Sequence, residues 1–555
     1  MKRSGLTLLL LGAVILFATD RSVASTSPAL GSGTLVKAAR MEILSGGKAI
    51  GFVTIPAGSP MIVLSSQDDG FLVKRSDAEA PFKVPKDSLE VSAPASNSSA
   101  NQASSTSAVG SAPASAIAVP SSSPPPAQTT APATQPLPSS SQATSASTNS
   151  APTAAQVNKA LGIPLFGSGS LWEENDAMVA NRLRWPQESK TSTEAGYRRY
   201  PYTFNSETRV LGARSLSLFM QGLNDKVARI SILFANKGDV AFFSSAQEAK
   251  QQAAHEKQAL NVTDSMIKGC QDAMRTDKSA VESALKALLG GSKPARVGKF
   301  SSTTEAGQRW DWNGHSFLLF APQNEYVALR IVPTSTLDDP DAVKKSFSSV
   351  RATLQGRVER RASGDVVITD LPMVDQGRKG YCVPATFERV LRYYGLSEDM
   401  NVLAMAGQTG MGGGTSIERI EGATYNLIRD AGGNITQKSF SGNISEIKPF
   451  IDAGKPVLFP HFSTEEFNKR VDERMARRVA MTNWDAWKNQ FLPSFKKTMP
   501  LQRDPQYGHI CLIIGYNEKT REIAISDSWG QAATERWMTE DEARQIKDSA
   551  ISVIE

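Results

Sequence analysis

Within a chain of 555 residues, four polar side chains stand in an order that suits attack of sulfur on an acyl group: Gln376, Cys382, His509 and Asp527. After Cys382 the apolar residues Phe387, Val390, Leu391 and Tyr394 recur at helical spacing, and Gly395 closes the run. Pro384 suits a first helical turn, where its missing N–H costs nothing. Cys382 is therefore expected at a helix N-terminus. Unpaired N–H groups and the positive end of the helix dipole favour a thiolate there, lowering the thiol pKa from about 8.5 toward neutrality. Gln376 precedes the cysteine by six residues, with Gly377 and Gly380 between them. A side-chain amide on such a loop folds back over the sulfur and donates to a developing oxyanion, with the Cys382 N–H as second donor.

A thiol nucleophile needs a base from elsewhere in the chain. His509 lies in GHICLIIGYN, an apolar strand 127 residues after Cys382. A second strand, Glu522 to Ser526, leads to Asp527-Ser528-Trp529-Gly530. That hairpin brings a carboxylate to the imidazole, where it holds the tautomer. His461 follows another apolar strand, Pro456 to Pro460, but has no acid beside it in the sequence. The triad logic favours His509. The bland reading of Cys382, a buried core thiol, leaves the joint presence of Gln376, His509 and Asp527 without an explanation.

These segments together resemble the C39-like group of papain-like cysteine peptidases, the relatives of the bacteriocin-processing enzymes. The resemblance rests on CVPATFERVLRYYG with Gln376 upstream, on GGGTSIERI (Gly412 to Ile420) and on YGHICLIIGYNEKTREIAISDSWG. Asp-Ser-Trp-Gly also looks like papain's Asn-Ser-Trp-Gly with Asp for Asn. It covers about a third of the chain, residues 365–555. It implies a papain-like α+β fold and peptide-bond hydrolysis, with Cys382 as nucleophile, His509 as base, Asp527 as orienting acid and Gln376 as oxyanion donor. It implies a peptide or protein substrate, and no cofactor and no metal.

Three departures qualify the likeness. Val383 replaces the Gly that usually follows the nucleophile, Asp375 adds a charge beside Gln376, and residues 464–504 are an insertion rich in Arg, Lys, Trp and Phe. The insertion reads as helical, either a lid or groove wall or a solvated hairpin. The transporter and ATP-binding modules of true bacteriocin processors are absent, so their leader specificity does not carry over. Two further readings stay open: a pseudoenzyme that only binds peptide in the groove, and a cell-wall peptide hydrolase. The latter commonly carries Asp-Cys-Ser/Thr-Gly, unlike Tyr381-Cys382-Val383-Pro384. A non-enzymatic surface adhesin is a third. The Gly-rich stretch Gly407 to Gly414 lacks a following Gly-Lys-Ser/Thr and reads as the approach to a helix rather than a phosphate cradle.

The remaining chain must carry and position this site, and its length points to a multidomain protein. Lys2 and Arg3 precede an apolar run from Leu6 to Ala18 and the small residues Ser22-Val23-Ala24. Residues 1–24 are expected to be a cleaved signal peptide, which makes the protein exported, periplasmic or extracellular. No later segment is apolar enough to span a membrane. Only three cysteines are present, at 270, 382 and 511, so at least one thiol stays unpaired. Cys270 and Cys511 read as core thiols. A net charge of +6 without a dense basic block argues against nucleic-acid binding.

Residues 33–91 read as a small β-barrel. Short β-rich runs alternate with turn signals, and GFVTIPAGSPMIVLSSQDDGFLVK resembles the bacterial SH3-like domains that accompany exported hydrolases. Such a module implies cell-wall polymer as a ligand, or a purely structural part. Residues 92–155 are almost entirely Ser, Ala, Pro, Thr, Gln and Asn and form a disordered linker. Residues 157–355 read as an α+β domain of unknown role. Asn224-Asp225 and Asn313-Gly314 mark hairpins, and helices are expected at Ala246–Leu260, Asp264–Met274 and Lys278–Leu289. Its Trp172, Trp185, Trp310 and Trp312 are expected in the core, and His255 and His315 have no metal-ligand spacing.

Overall fold

The computed structural model describes residues 31–36, 39–45, 48–55, 60–67, 70–74, 82–92, 151–204, 207–245, 261–300, 303–338, 350–396, 398–495 and 500–555. Two compact units result, one within residues 1–144 and one spanning 145–555. The signal peptide, nearly all of the linker and the helix expected at Ala246–Leu260 lie outside the described residues.

In the first unit, five strands form one antiparallel sheet. Its order is Phe82–Val84, Gly70–Lys74, Pro60–Gln67, Gly31–Leu35 and Leu89–Ser92. A hairpin of Ala39–Ser45 with Lys48–Ile55 accompanies it, and a single 3-10 turn, Lys86–Ser88, precedes the last strand. Leu35, Met61, Val63, Val73, Val84 and Leu89 make its small core.

The second unit opens with the helix Ala154–Leu161, capped by Thr153, which overlaps the last residues read as linker. An eight-stranded antiparallel sheet follows. Its order is Lys293–Phe300, Thr303–Trp312, His315–Phe320, Tyr326–Pro333, Lys226–Asn236, Ser217–Leu223, Glu194–Arg199 and Gln187–Lys190. Both expected hairpins form. Asn224 and Asp225, and Asn313 and Gly314, all take positive φ, as two-residue turns between twisted strands require. One continuous helix, Asp264–Leu289, replaces the two expected there, since Arg275-Thr276-Asp277 contains no residue that breaks a helix. Trp185, Trp310 and Trp312 are buried, and the indoles of Trp310 and Trp312 donate to Gly290 O and Pro152 O.

A second sheet runs Val358–Arg360, Val366–Ile368, Gly508–Asn517, Val457–Phe462, Ile551–Ile554 and Ile435–Lys438. Glu522–Ser526 pairs with Gly508–Asn517 and then with Arg536–Thr539. The amphipathic helix Cys382–Tyr393 packs on this sheet, with Phe387, Val390 and Leu391 buried. The regions read as separate domains share a single core. Leu233, Leu318, Phe320, Tyr326 and Ala328 of the first sheet lie in the same cluster as Phe387, Leu391, Phe459 and Ile513. Within the segment 464–504, the first helix is docked rather than solvated. Helix Glu465–Arg478 buries Phe467 and Val471, while Arg474 donates to Trp537 O and Glu542.

A shared core should unfold as one. All eight tryptophans lie between residues 172 and 537, so their fluorescence reports this unit alone. Leu233→Ala should cost about 2–5 kcal/mol. It should also lower hydrogen-exchange protection in Val457–Phe462 together with Tyr326–Pro333. Loss of protection confined to the first sheet would show two independent domains.

Candidate active site

Cys382 is the first residue of its helix, as the sequence indicates. The residue before it, Tyr381, offers no side-chain cap, so the N–H groups of the first turn are not consumed by a capping hydroxyl or carboxylate. Tyr381 instead buries its ring and donates its hydroxyl to Asn236 Oδ1 at 3.0 Å. Cys382 is half-buried, while Cys270 and Cys511 are fully buried. Val383, in place of the usual Gly, is buried in the core.

His509 meets both partners. Its Nε2 is 3.0 Å from Asp527 Oδ1, and its imidazole lies near enough to the Cys382 thiol to shift the titration of that group. The indole of Trp529 stacks on the imidazole, with ring centroids 4.6 Å apart. Burial works against charge on all three groups, yet their mutual contacts prevail. The Cys382 thiol is held below its usual value by the His509 hydrogen bond and charge, helped by the N–H groups of Ile510 and Val383. His509 is raised to about 9 by Asp527 and Cys382. Asp527 is driven far below the carboxylate range by His509 and Arg536. These shifts favour a charged Cys382–His509 pair backed by the Asp527 carboxylate.

Two arginines that sequence reasoning passed over hold this pair. Arg536 donates to Asp527 Oδ2 at 2.7 Å and to Asn468 and Asp472 of helix Glu465–Arg478. The inserted segment thus reaches the orienting acid. Arg389, two turns along from Cys382, is completely buried and donates to Pro372 O, Ser526 O and Ser526 Oγ. It fixes the cysteine helix to the strand Glu522–Ser526, which leads to Asp527. Neither is marked by spacing: Arg389 acts across 137 residues, and Arg536 reaches Asp527 across a turn between paired strands.

Gln376 is buried. Its N–H donates to Ser528 O and its Nε2 to Lys379 O at 3.0 Å. An amide has two N–H bonds, and Lys379 O takes one of them. Asp375 accepts from the Gly377 N–H. The Gly-rich stretch does approach a helix, Ile417–Asp430 capped by Ser416. Gly413 lies against Gly380, where a Cβ would sit 2.4 Å from the Gly380 Cα. His461 is directly opposite His509 on the neighbouring strand, but it is fully buried, bonded to Phe459 O and lowered to about 3 by burial and the His509 charge. It cannot serve as a base near neutral pH. His461, Cys511 and Asp527 come close enough to hold a metal ion. Asp527, however, has both oxygens engaged by His509 and Arg536, which leaves that trio short of a ligand.

The model of the Peptidase_C39-like family matches residues 368–549. Among solved structures, xylellain, a cysteine protease from Xylella fastidiosa, aligns with 36% of this chain and 88% of its own. The identity is 13% and the TM-score 0.23. No curated protein matches the chain.

Asp527 and the cation that shares it, Arg536, set opposite shifts on His509. Removing the carboxylate removes what raises the imidazole, so Asp527→Asn should lower the His509 midpoint from about 9 by roughly one unit or more. Arg536→Gln removes a cation that competes for the same carboxylate and should raise it. NMR titration of the imidazole, assigned with His509→Ala, reads both; shifts of the same sign would contradict this electrostatic arrangement.

Proposed function

We propose that the C39-like cysteine peptidase domain at residues 368–549 hydrolyses peptide bonds with Cys382, His509 and Asp527, using Gln376 and the Cys382 N–H as oxyanion donors. The observation that carries the reading is His509 bonded to Asp527 at 3.0 Å beside Cys382, with the thiol lowered and the imidazole raised. The Cys382 thiolate attacks the carbonyl carbon and the oxygen gains the negative charge. Gln376 Nε2–H and the Cys382 N–H receive that oxyanion. As the tetrahedral adduct collapses, His509 gives its proton to the amine, which leaves, and a thioester remains. Neutral His509 then takes a proton from water, the hydroxide attacks the thioester, and the acid departs as the thiolate–imidazolium pair is restored. Asp527 stays ionised throughout and holds the ring.

The substrate class is peptide or protein. The apolar run at Leu6 to Ala18 supports export, and the strand-rich residues 31–92 support an SH3-like module that holds the enzyme on cell-wall polymer. Cleavage would then take place outside the cytoplasm.

Iodoacetamide labelling with mass-spectrometric mapping tests the pair. Cys382 should label rapidly at pH 6, and His509→Ala should abolish that advantage. Labelling that rises only near pH 8.5, the value of a free thiol, and ignores His509 would leave a groove that binds peptide without cutting it. With a peptide library as substrate, Cys382→Ala should be inactive and Gln376→Ala slower by about 10²–10³ in kcat.

A further inference from the structure

Between Pro372 and Cys382 the chain has little regular structure of its own. Gly377 takes φ +71, and this loop carries the amide assigned above to the oxyanion. Its partners come largely from the 157–355 region. Along the edge strand Gln187–Lys190 and the turn after it, Ser192 bonds Asp370, Ser189 Oγ accepts from the Met373 N–H at 2.9 Å, and Glu188 Oε1 accepts from the Asp375 N–H at 2.8 Å. Tyr200 donates its hydroxyl to Asp375 O at 2.6 Å. A Cβ on Gly377 would sit 2.6 Å from Tyr202 Oη, so the two tyrosines form a wall against which only glycine fits.

The far end of the loop is held in the same way. Lys379, whose carbonyl receives Gln376 Nε2, sends its side chain into the interior toward Asp239 Oδ2 at 3.4 Å, between the rings of Tyr200 and Tyr381. Asn236 holds the Tyr381 hydroxyl and also donates to Asp239. Gly238 lies against the Tyr381 ring, where a Cβ would come within 2.4 Å. Glu188 O further accepts from Gln531, just beyond Trp529. One side of the oxyanion loop and the turn after the orienting acid are therefore referred to the same strand.

We propose that the 157–355 region is a built-in brace for the oxyanion loop, with Glu188, Tyr200, Asn236 and Asp239 as positioning residues that fix Gln376 over Cys382 by holding Asp375, Lys379 and Tyr381. The region is then a working part of the peptidase. This rests on reading Gln376 as the oxyanion donor. It follows that loosening the brace impairs steps that build an oxyanion and spares those that do not. A misplacement of about 1 Å costs up to about 10²-fold in rate.

The test compares two reactions of Cys382 in the full chain. Alkylation by iodoacetamide displaces iodide and builds no oxyanion. Acylation by p-nitrophenyl acetate forms a thioester, releases p-nitrophenolate and passes through one. Tyr200→Phe, which removes a single hydroxyl, and Asp239→Asn should each slow acylation about tenfold while alkylation and its pH profile stay within twofold of wild type. Gln376→Ala, measured alongside, should slow acylation at least as much. If Gln376→Ala acylates at the wild-type rate, the oxyanion assignment fails and the brace with it. If Gln376→Ala is slow but Tyr200→Phe is not, only the brace fails. A proportional loss of both reactions would show a part in folding alone and would also overturn it. Should Asp239→Asn not fold, Tyr200→Phe decides.

Discussion

A carboxylate with no exposure to solvent is the constraint around which the catalytic half is arranged. Asp527 is completely buried, and an isolated charge there costs several kcal/mol unless it is compensated. Each oxygen has a cationic partner, His509 on one side and Arg536 on the other. The strand Arg536–Thr539 and the helix Glu465–Arg478 are set by the second contact, and the orientation of the imidazole by the first. The thiolate depends on the imidazolium, and the imidazolium on the carboxylate. Asn468 and Asp472, which touch no reacting atom, are thus linked to the base through Arg536 and Asp527.

The seam between the two sheets combines apolar packing with buried charge. Arg198 pairs with Glu188, and Arg392 with Glu388 and Glu194. The charges of Arg229 and Arg330 hold Asp399 ionised despite its burial. Three of these groups, Glu388, Arg392 and Asp399, belong to the cysteine helix or the segment that follows it. Such pairs add little net stability over well-packed apolar residues, but leaving one member alone is costly. They fix one relative placement of the two regions and penalise others.

How much of this could be read from the sequence follows from range. The helix at Cys382 shows in its apolar spacing, and the hairpins at Asn224-Asp225 and Asn313-Gly314 in residues that accept positive φ. The order of Gln, Cys, His and Asp pointed to the site, and the structure brings His509 to both Cys382 and Asp527. Arg389, Arg536 and Tyr200 were not legible. Each bonds a partner brought near by the fold, 137, 9 and 175 residues away respectively, and no local period records it. Even the short separation of Arg536 from Asp527 spans a turn that only the paired strands define. The middle region looked separate because its hairpins are locally complete, whereas its shared core is a matter of which sheet faces meet.

The strand Ile551–Ile554 lies inside the second sheet, between Val457–Phe462 and Ile435–Lys438. Val457–Phe462 in turn is the immediate neighbour of the strand that bears His509. Val457–Phe462 is therefore held on both sides, and the ladder that supports the His509 strand extends through it to residues 551–554.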